Sequence, residues 1–199
     1  MQLYTSATSP YARLVRVVLA EKQLIEQVEY HFVDPWQTPA ELLAVNAACR
    51  VPALITEGGE ALCEAGVIVL YLERRYPEPR LMARDTVESV HARLGLALSC
   101  LDAGVGVITE RRHGDATTPL AARRAEGLQR GARAVVKAVD DERPGEPDLG
   151  DLALAVVLNW LDYRFANEVP WRDWGGPAAA WLERLNARPA FVETRPPPT

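Results

Sequence analysis

Residues 50–72 decide the fold, and they read RVPALITEGGEALCEAGVIVLYL. Two short apolar runs, 53–56 and 61–63, flank Gly58-Gly59, a pair that favours a tight turn, so this stretch predicts a β-hairpin. Residues 66–76 follow directly, with apolar residues at helical spacing, and Pro77 stops that helix. A hairpin that leads straight into a helix is typical of one half of a small α/β domain.

The residues before this stretch predict the other half of the same domain. Residues 1–5 and 28–33 have the pattern of short strands, and residues 10–22 form an amphipathic helix between them. A further short helix fits residues 39–45. The order is therefore βαβ-α-ββ-α over residues 1–77, which predicts a small sheet with helices on both faces.

Strand signals disappear after a connector at 78–85, and a second, all-helical domain is expected over 86–199. Apolar residues at spacings of three and four predict one long helix over 86–111. Its Gly104 and Gly106 suggest a kink or a close approach by another group, because glycine disfavours a helix interior. Thr118-Pro119 has the form of an N-cap followed by proline at the first helical position. The apolar run in 148–165 predicts a helix at the centre of a bundle.

Composition excludes several classes of protein. The chain has 199 residues, 48% of them hydrophobic and 25% charged, and a formal charge of −5 without a Lys/Arg block, so nucleic acid is not an expected partner. The longest mainly apolar uncharged run, 152–161, is half of what a membrane span needs, and the N-terminus lacks the features of a signal peptide. Three cysteines without a metal-ligand spacing predict no metal site and favour a reducing, cytoplasmic location.

Three short motifs have both a structural and a functional interpretation. Ser9-Pro10 is a helix cap, but the cap hydroxyl still has a proton to donate, at a helix end that favours anions. Val51-Pro52 is either an ordinary proline at the start of a strand or a cis bond, which would free the Val51 backbone to pair with a peptide-like ligand. Glu64 either favours the start of the next helix or contacts a ligand ammonium, while free N–H groups there meet a carboxylate.

In order and spacing these segments resemble the soluble glutathione S-transferase superfamily over nearly the whole chain. The motifs that carry the resemblance are Ser9-Pro10-Tyr11-Ala12-Arg13-Leu14-Val15-Arg16, Val51-Pro52-Ala53-Leu54, Glu64 with the apolar run 67–72, Asp148-Leu149-Gly150-Asp151-Leu152-Ala153, and the ending 181–191. The resemblance implies a thioredoxin-like N-terminal domain, an all-α C-terminal helical bundle, and usually a homodimer. It also implies a cytoplasmic detoxification enzyme that conjugates glutathione, its co-substrate, to a small hydrophobic electrophile.

The resemblance also assigns roles to residues. Ser9 matches the catalytic residue that hydrogen-bonds the glutathione sulfur in serine-type, bacterial-like members. Val51, with Arg50 before it and the expected cis-proline Pro52 after it, matches the loop that pairs with the cysteinyl backbone of glutathione. Glu64 and Ala65 match the pair that holds the γ-glutamyl end. The electrophile is expected between the domains, against the long helix near residue 104.

Two departures from the family pattern fall at the expected glutathione site. Ala65 stands where the family usually has Ser or Thr. In the loop that usually reads Asn-Pro-x-Gly-Lys-Val-Pro, Ala47 and Cys49 replace Pro and Gly.

Four functions therefore remain open: a glutathione transferase, a non-catalytic binding or assembly protein of the same fold, a glutathione-dependent isomerase or reductive dehalogenase, and a thiol–disulfide enzyme using Cys49. The last lacks a CxxC motif.

Overall fold

The computed structural model describes residues 1–82, 87–140 and 145–198. Residues 83–85 of the expected connector lie outside these ranges. The chain divides into two compact units.

The first unit is built on a four-stranded mixed sheet. Its strands are β1 (Gln2–Thr5), β2 (Glu29–Phe32), β3 (Ala53–Ile55) and β4 (Ala61–Cys63), in the spatial order β2-β1-β3-β4. β2 runs parallel to β1, while the β1/β3 and β3/β4 pairs are antiparallel. The predicted hairpin at Gly58-Gly59 is therefore confirmed.

Three helices of this unit follow the predicted order: α1 (Pro10–Glu21), α2 (Ala40–Val45) and α3 (Ala65–Arg75). Neighbouring residues of a strand point to opposite faces of a sheet. Leu3 and Tyr4 are both buried, and so are Ala53 and Leu54, so both faces of the sheet are covered as predicted. The thioredoxin-like arrangement expected for the first part of the chain is confirmed.

A final short helix, α8 (Pro189–Glu193), packs against α1. The Arg188 guanidinium donates two hydrogen bonds of 2.8 Å to the Glu21 carboxylate, and Arg13 Nη2 donates to the Phe191 carbonyl at 3.5 Å. Residues 187–198 therefore belong to the first compact unit together with Met1–Leu81. The expected division placed them in the second domain, because their helical pattern gives no information about the element they contact.

The second unit, Met82–Asn186, is helical and has no strand in its described residues. It contains α4 (Val87–His113), α5 (Pro119–Ala138), α6 (Leu149–Phe165) and α7 (Ala178–Asn186). Thr118 caps α5 as predicted, since its hydroxyl accepts from the Ala121 N–H at 3.1 Å. α6 is buried over most of its length, which agrees with the predicted central helix.

A reciprocal capping box begins α6. The Asp148 carboxylate accepts from the Asp151 N–H at 3.0 Å, and Asp151 accepts in return from the Asp148 N–H at 3.2 Å. Arg93 of α4 forms ion pairs with both carboxylates. Gly150 allows this arrangement, because a Cβ there would lie 2.7 Å from Arg93 Nε. The start of α6 is thus held both by its own backbone and by α4.

The two glycines within α4 allow close packing. A Cβ at Gly104 would lie 2.5 Å from Cζ3 of Trp160, and one at Gly106 would lie 3.2 Å from Cδ of Arg124. The predicted close approach is confirmed, and the approaching groups are side chains of α5 and α6. The indole ring of Trp160 fills the space beside Gly104 itself, and the expectation that the electrophile binds near this part of the helix stays a prediction.

α4 is long and apolar enough to span a membrane by length and composition, with a mean hydropathy of 1.4 over an 18-residue window. Core helices of globular domains satisfy the same two criteria. α4 packs against both α5 and α6, and eight of its residues are buried. The buried face of α4 thus packs within the helical unit.

Candidate functional site

The sheet topology brings the three predicted motifs to one end of the sheet. Ala53 pairs with Tyr4 on one side and with Cys63 on the other, so these three residues form a row across β1, β3 and β4. The loop to Ser9 leaves β1 at that end, Val51 enters β3 there, and Glu64 leaves β4 there. Sequence reasoning found these motifs separately, and antiparallel pairing places them together.

Ser9 occupies the N-cap position of α1. Its backbone is extended, with φ −73° and ψ 122°, and its half-buried hydroxyl accepts from the Ala12 N–H at 3.2 Å. No described residue accepts a hydrogen bond from this hydroxyl. The structural interpretation of Ser9 as a cap is therefore confirmed, while its proton stays available at the positive end of the helix dipole.

The peptide bond between Val51 and Pro52 is cis, as predicted. Val51 is buried in a cluster with Tyr4, Leu42 and Ala53. Within the described ranges, its N–H and carbonyl form no hydrogen bond. Buried backbone groups are nearly always paired, so these two are free to pair with an added peptide-like group.

A buried amide organises the loop before Val51. Asn46 Nδ2 donates to the Arg50 carbonyl at 2.8 Å, and Asn46 Oδ1 accepts from the Ala48 N–H at 3.0 Å. The Arg50 side chain is exposed. Cys49 has φ 52°, in the left-handed region that favours glycine, which explains why the family pattern has Gly there. The sequence departs from that pattern, and Cys49 adopts a positive φ that glycine would adopt without strain.

Glu64 stands at the N-cap of α3 with φ 69°, a conformation that is costly for a residue with a Cβ. Its exposed carboxylate neither caps the helix nor binds another side chain in the described part of the chain. The N–H groups of residues 65–67 have no partner inside the helix, because they belong to its first turn. Ala65 is buried and has no hydroxyl with which to supplement them.

The cysteines are free thiols with different surroundings. Half-buried Cys49 donates its S–H to the Pro35 carbonyl at 3.7 Å. Burial, followed by the charge of Glu64, raises the pKa of the Cys63 thiol. Burial also raises the pKa of the Cys100 thiol to about 12, which keeps it protonated at neutral pH. Cys63 and Cys100 are therefore poor nucleophiles, because the thiolate is the reactive form.

No cluster of three or more metal-ligating side chains occurs among residues 1–82, 87–140 and 145–198. His31 stacks on Tyr4 with ring centroids 4.7 Å apart, which is a packing role. A cavity of about 380 Å³ lies in the second unit, lined by Val107, Leu128, Phe165 and Val169 and bordered by the Arg111–Glu168 ion pair. It contains none of the residues predicted from the sequence.

Comparison with known proteins defines the class. Residues 3–80 match the glutathione S-transferase N-terminal domain family. A crystal structure of a glutathione S-transferase from Methylobacterium radiotolerans, in complex with glutathione sulfonate, is 29% identical with a TM-score of 0.89, over 100% of this chain and 95% of that one. The chain is a member of the glutathione S-transferase superfamily and has its fold.

Two further relatives have different descriptions. An uncharacterized GST-like protein of Escherichia coli, YibF, is 26% identical over 99% of both chains. The maleylacetoacetate isomerase of Pseudomonas aeruginosa is 36% identical over 97 residues, which are 47% of this chain and 45% of that enzyme. The chain is therefore similar both to a GST-like protein and, over about half its length, to an isomerase.

Proposed function

We propose that this protein is a cytoplasmic glutathione transferase that conjugates the glutathione thiolate to a small electrophilic molecule. The observation that carries the proposal is the convergence of Ser9, Val51 and Glu64-Ala65 at one end of the sheet. The glutathione sulfonate bound to the Methylobacterium relative supports the choice of ligand.

The free groups at this end of the sheet fit the parts of glutathione. The unpaired N–H and carbonyl of Val51 match the two backbone groups of the cysteinyl residue. The first-turn N–H groups of α3 suit the γ-glutamyl carboxylate, and the unpartnered carboxylate of Glu64 suits its ammonium group. The left-handed backbone of Glu64 supports a functional role, since such conformations concentrate at ligand sites.

Ser9 is the proposed catalytic residue. A free thiol has a pKa near 8.5, and lowering it by two units requires about 2.7 kcal/mol of preferential stabilisation of the thiolate. A hydrogen bond to a charged acceptor contributes ~1.5–3 kcal/mol, and the dipole of α1 adds ~0.3–1 kcal/mol. Together these two contributions give ~1.8–4 kcal/mol, a range that includes the stabilisation required. The bound thiol releases its proton to solvent water. Ser9 donates a hydrogen bond to the thiolate sulfur, which attacks the electrophilic carbon and displaces its leaving group.

The test is Ser9→Ala, followed by glutathione titration and conjugation assays. We expect nearly unchanged glutathione affinity and a conjugation rate at pH 7 lower by about threefold to 25-fold, because loss of ~1.5–3 kcal/mol raises the bound thiol pKa by one to two units and so lowers the thiolate fraction. The lost cap also destabilises the fold by roughly 0.5–2 kcal/mol. Thr118→Ala is the matched control, since it removes an equivalent cap from α5.

The control variant should lose similar stability and keep full activity. The pKa of bound glutathione is measured from the thiolate absorbance in both proteins. An identical pKa in wild type and Ser9→Ala would mean that Ser9 is only a helix cap, and it would contradict the catalytic role.

A second candidate is a glutathione-dependent isomerase, which the similarity of the N-terminal half to the maleylacetoacetate isomerase favours. It uses the same thiolate but returns free glutathione, so consumption of glutathione during turnover distinguishes the two reactions. The third candidate, a non-catalytic binding protein, is favoured by Ala65, and an intact fold without measurable glutathione affinity would support it.

A further inference from the structure

Two arginines on α1, Arg13 and Arg16, are buried without a carboxylate partner. They are 6% and 8% exposed, although arginine is rarely buried unless it is paired. Neither forms an ion pair in the part of the chain that the structure describes. The acid of the same helix, Glu21, is already paired with Arg188.

The hydrogen bonds of the two guanidinium groups are incomplete. Nε of Arg13 and both Nε and Nη2 of Arg16 are buried and have no acceptor. The Arg13 Nη2 bond to the Phe191 carbonyl is long, at 3.5 Å. Nη1 of each group has no acceptor among the described residues and is not fully buried, so it is the nitrogen that a molecule in solvent can reach. A buried cation with free donors is costly unless an anion accompanies it.

Aromatic rings and a further cation surround the pair. The Arg16 Cζ lies 5.9 Å from the ring centroid of Phe32, and the Arg13 Cζ lies 5.7 Å from that of Phe191. Burial, and then the charges of Arg16 and Arg195, lower the pKa of Arg13 to about 10. Burial, and to a smaller extent the charges of Glu193 and Glu26, raise the pKa of Tyr30, which itself interacts electrostatically with Arg16.

We propose that Arg13 and Arg16 form a binding site for an oxyanion, the phosphate or carboxylate group of a small molecule, where α1 faces β2 and α8. Each guanidinium offers its Nη1 to such a group, and α1 presents the two guanidinium groups about one helical turn apart, on one face of the helix. Arg16 lies seven residues after Ser9, about 10 Å along the helix axis. The proposed oxyanion site uses neither Ser9, Val51 nor Glu64, so its residues differ from those of the proposed glutathione site.

The test measures urea unfolding of the full chain in inorganic phosphate and in chloride at equal ionic strength. A ligand that binds only the folded state raises the folded-to-unfolded ratio about tenfold at ten times its Kd. We expect such a rise in wild type and in Arg80→Met, a control that removes an exposed, unpaired arginine of the same unit. Arg16→Met should lose most of the rise.

Arg16→Met should also be at least as stable as wild type in chloride, because it removes an unpaired buried charge. A purely structural role for Arg16 predicts the opposite. Arg13→Met provides a second, independent variant if Arg16→Met does not fold.

A parallel series with acetate separates the two sources of the anion, since a carboxylate site responds to acetate and a phosphate site does not. The proposal would be overturned if the stabilisation by either anion were as large in both arginine variants as in wild type. It would also be overturned if neither anion stabilised wild type.

Discussion

Two residues at the proposed site have an energetically unfavourable backbone conformation. Cys49 and Glu64 both adopt left-handed conformations, with φ 52° and 69°. A residue with a Cβ pays about 1–2 kcal/mol for this conformation relative to the right-handed one. Glycine would avoid the penalty at either position, so the loop and the start of α3 are shaped by their surroundings and not by local preference.

Ala65 determines how tightly the same end of the sheet can hold a carboxylate. We predict that Ala65→Ser tightens glutathione binding about tenfold to hundredfold. The added hydroxyl can donate one more hydrogen bond to the γ-glutamyl carboxylate, and a bond to a charged acceptor is worth ~1.5–3 kcal/mol. The gain is smaller if a water already occupies that position. Isothermal titration of both proteins in one buffer measures the difference.

Ala61→Ser serves as the control for this substitution, because Ala61 is an exposed residue of β4. It should bind glutathione as wild type does. Equal affinities for Ala65→Ser and wild type would mean that the γ-glutamyl carboxylate does not lie at residue 65, and the non-catalytic interpretation would gain support.

At the scale of elements, α4 shows that glycine within one helix has two different effects. The absence of a Cβ at Gly104 admits the indole of Trp160. Nothing lies within 4 Å of a Cβ built at Gly95, which faces solvent. The helical pattern alone does not distinguish these positions, since both glycines weaken the helix by up to about 1 kcal/mol relative to alanine.

We therefore predict opposite effects of the same substitution. Gly104→Ala should lower the free energy of unfolding by ~1–3 kcal/mol, because the new methyl group overlaps a buried ring. Gly95→Ala should raise it by up to about 1 kcal/mol through helix propensity. Urea unfolding of the three proteins measures both changes. Stabilisation by both variants would show that Trp160 can move aside at no cost.

At the scale of the whole molecule, the expected homodimer remains a prediction. α3 carries Val67, which is 53% exposed, next to the half-buried Leu70 and Tyr71. These three form an apolar stripe on one helix face, as residues three and four apart do. Such a stripe favours self-association, which is also what the superfamily resemblance implies.

Val67→Glu should convert the dimer to a monomer without unfolding it, because the side chain is exposed in the single chain. Val192→Glu introduces the same charge at a valine with 52% exposure on α8, and it should leave the dimer intact. Sedimentation velocity at micromolar concentration measures both outcomes. A monomeric wild type, or equal effects of the two variants, would contradict a dimer through α3.

Much of this fold and site could be predicted from residues close together in the chain. The caps at Ser9 and Thr118 and the box at Asp148 follow from bonds between residues three apart. Strand and helix order follows from periods of two and of about 3.6 residues. The site motifs were found in the same way, because each occupies a junction between a strand and a helix or the entry to a strand.

The sequence by itself thus determined the elements, their order and the three motifs. Only the tertiary structure decided that residues 187–198 join the first unit, through the Arg188–Glu21 pair 167 residues apart, and that Arg13 and Arg16 are buried without an acid. It also decided which helical glycine faces a ring. The reason is that these features depend on contacts between segments far apart in the chain, and no local pattern specifies which distant side chain will occupy a given space.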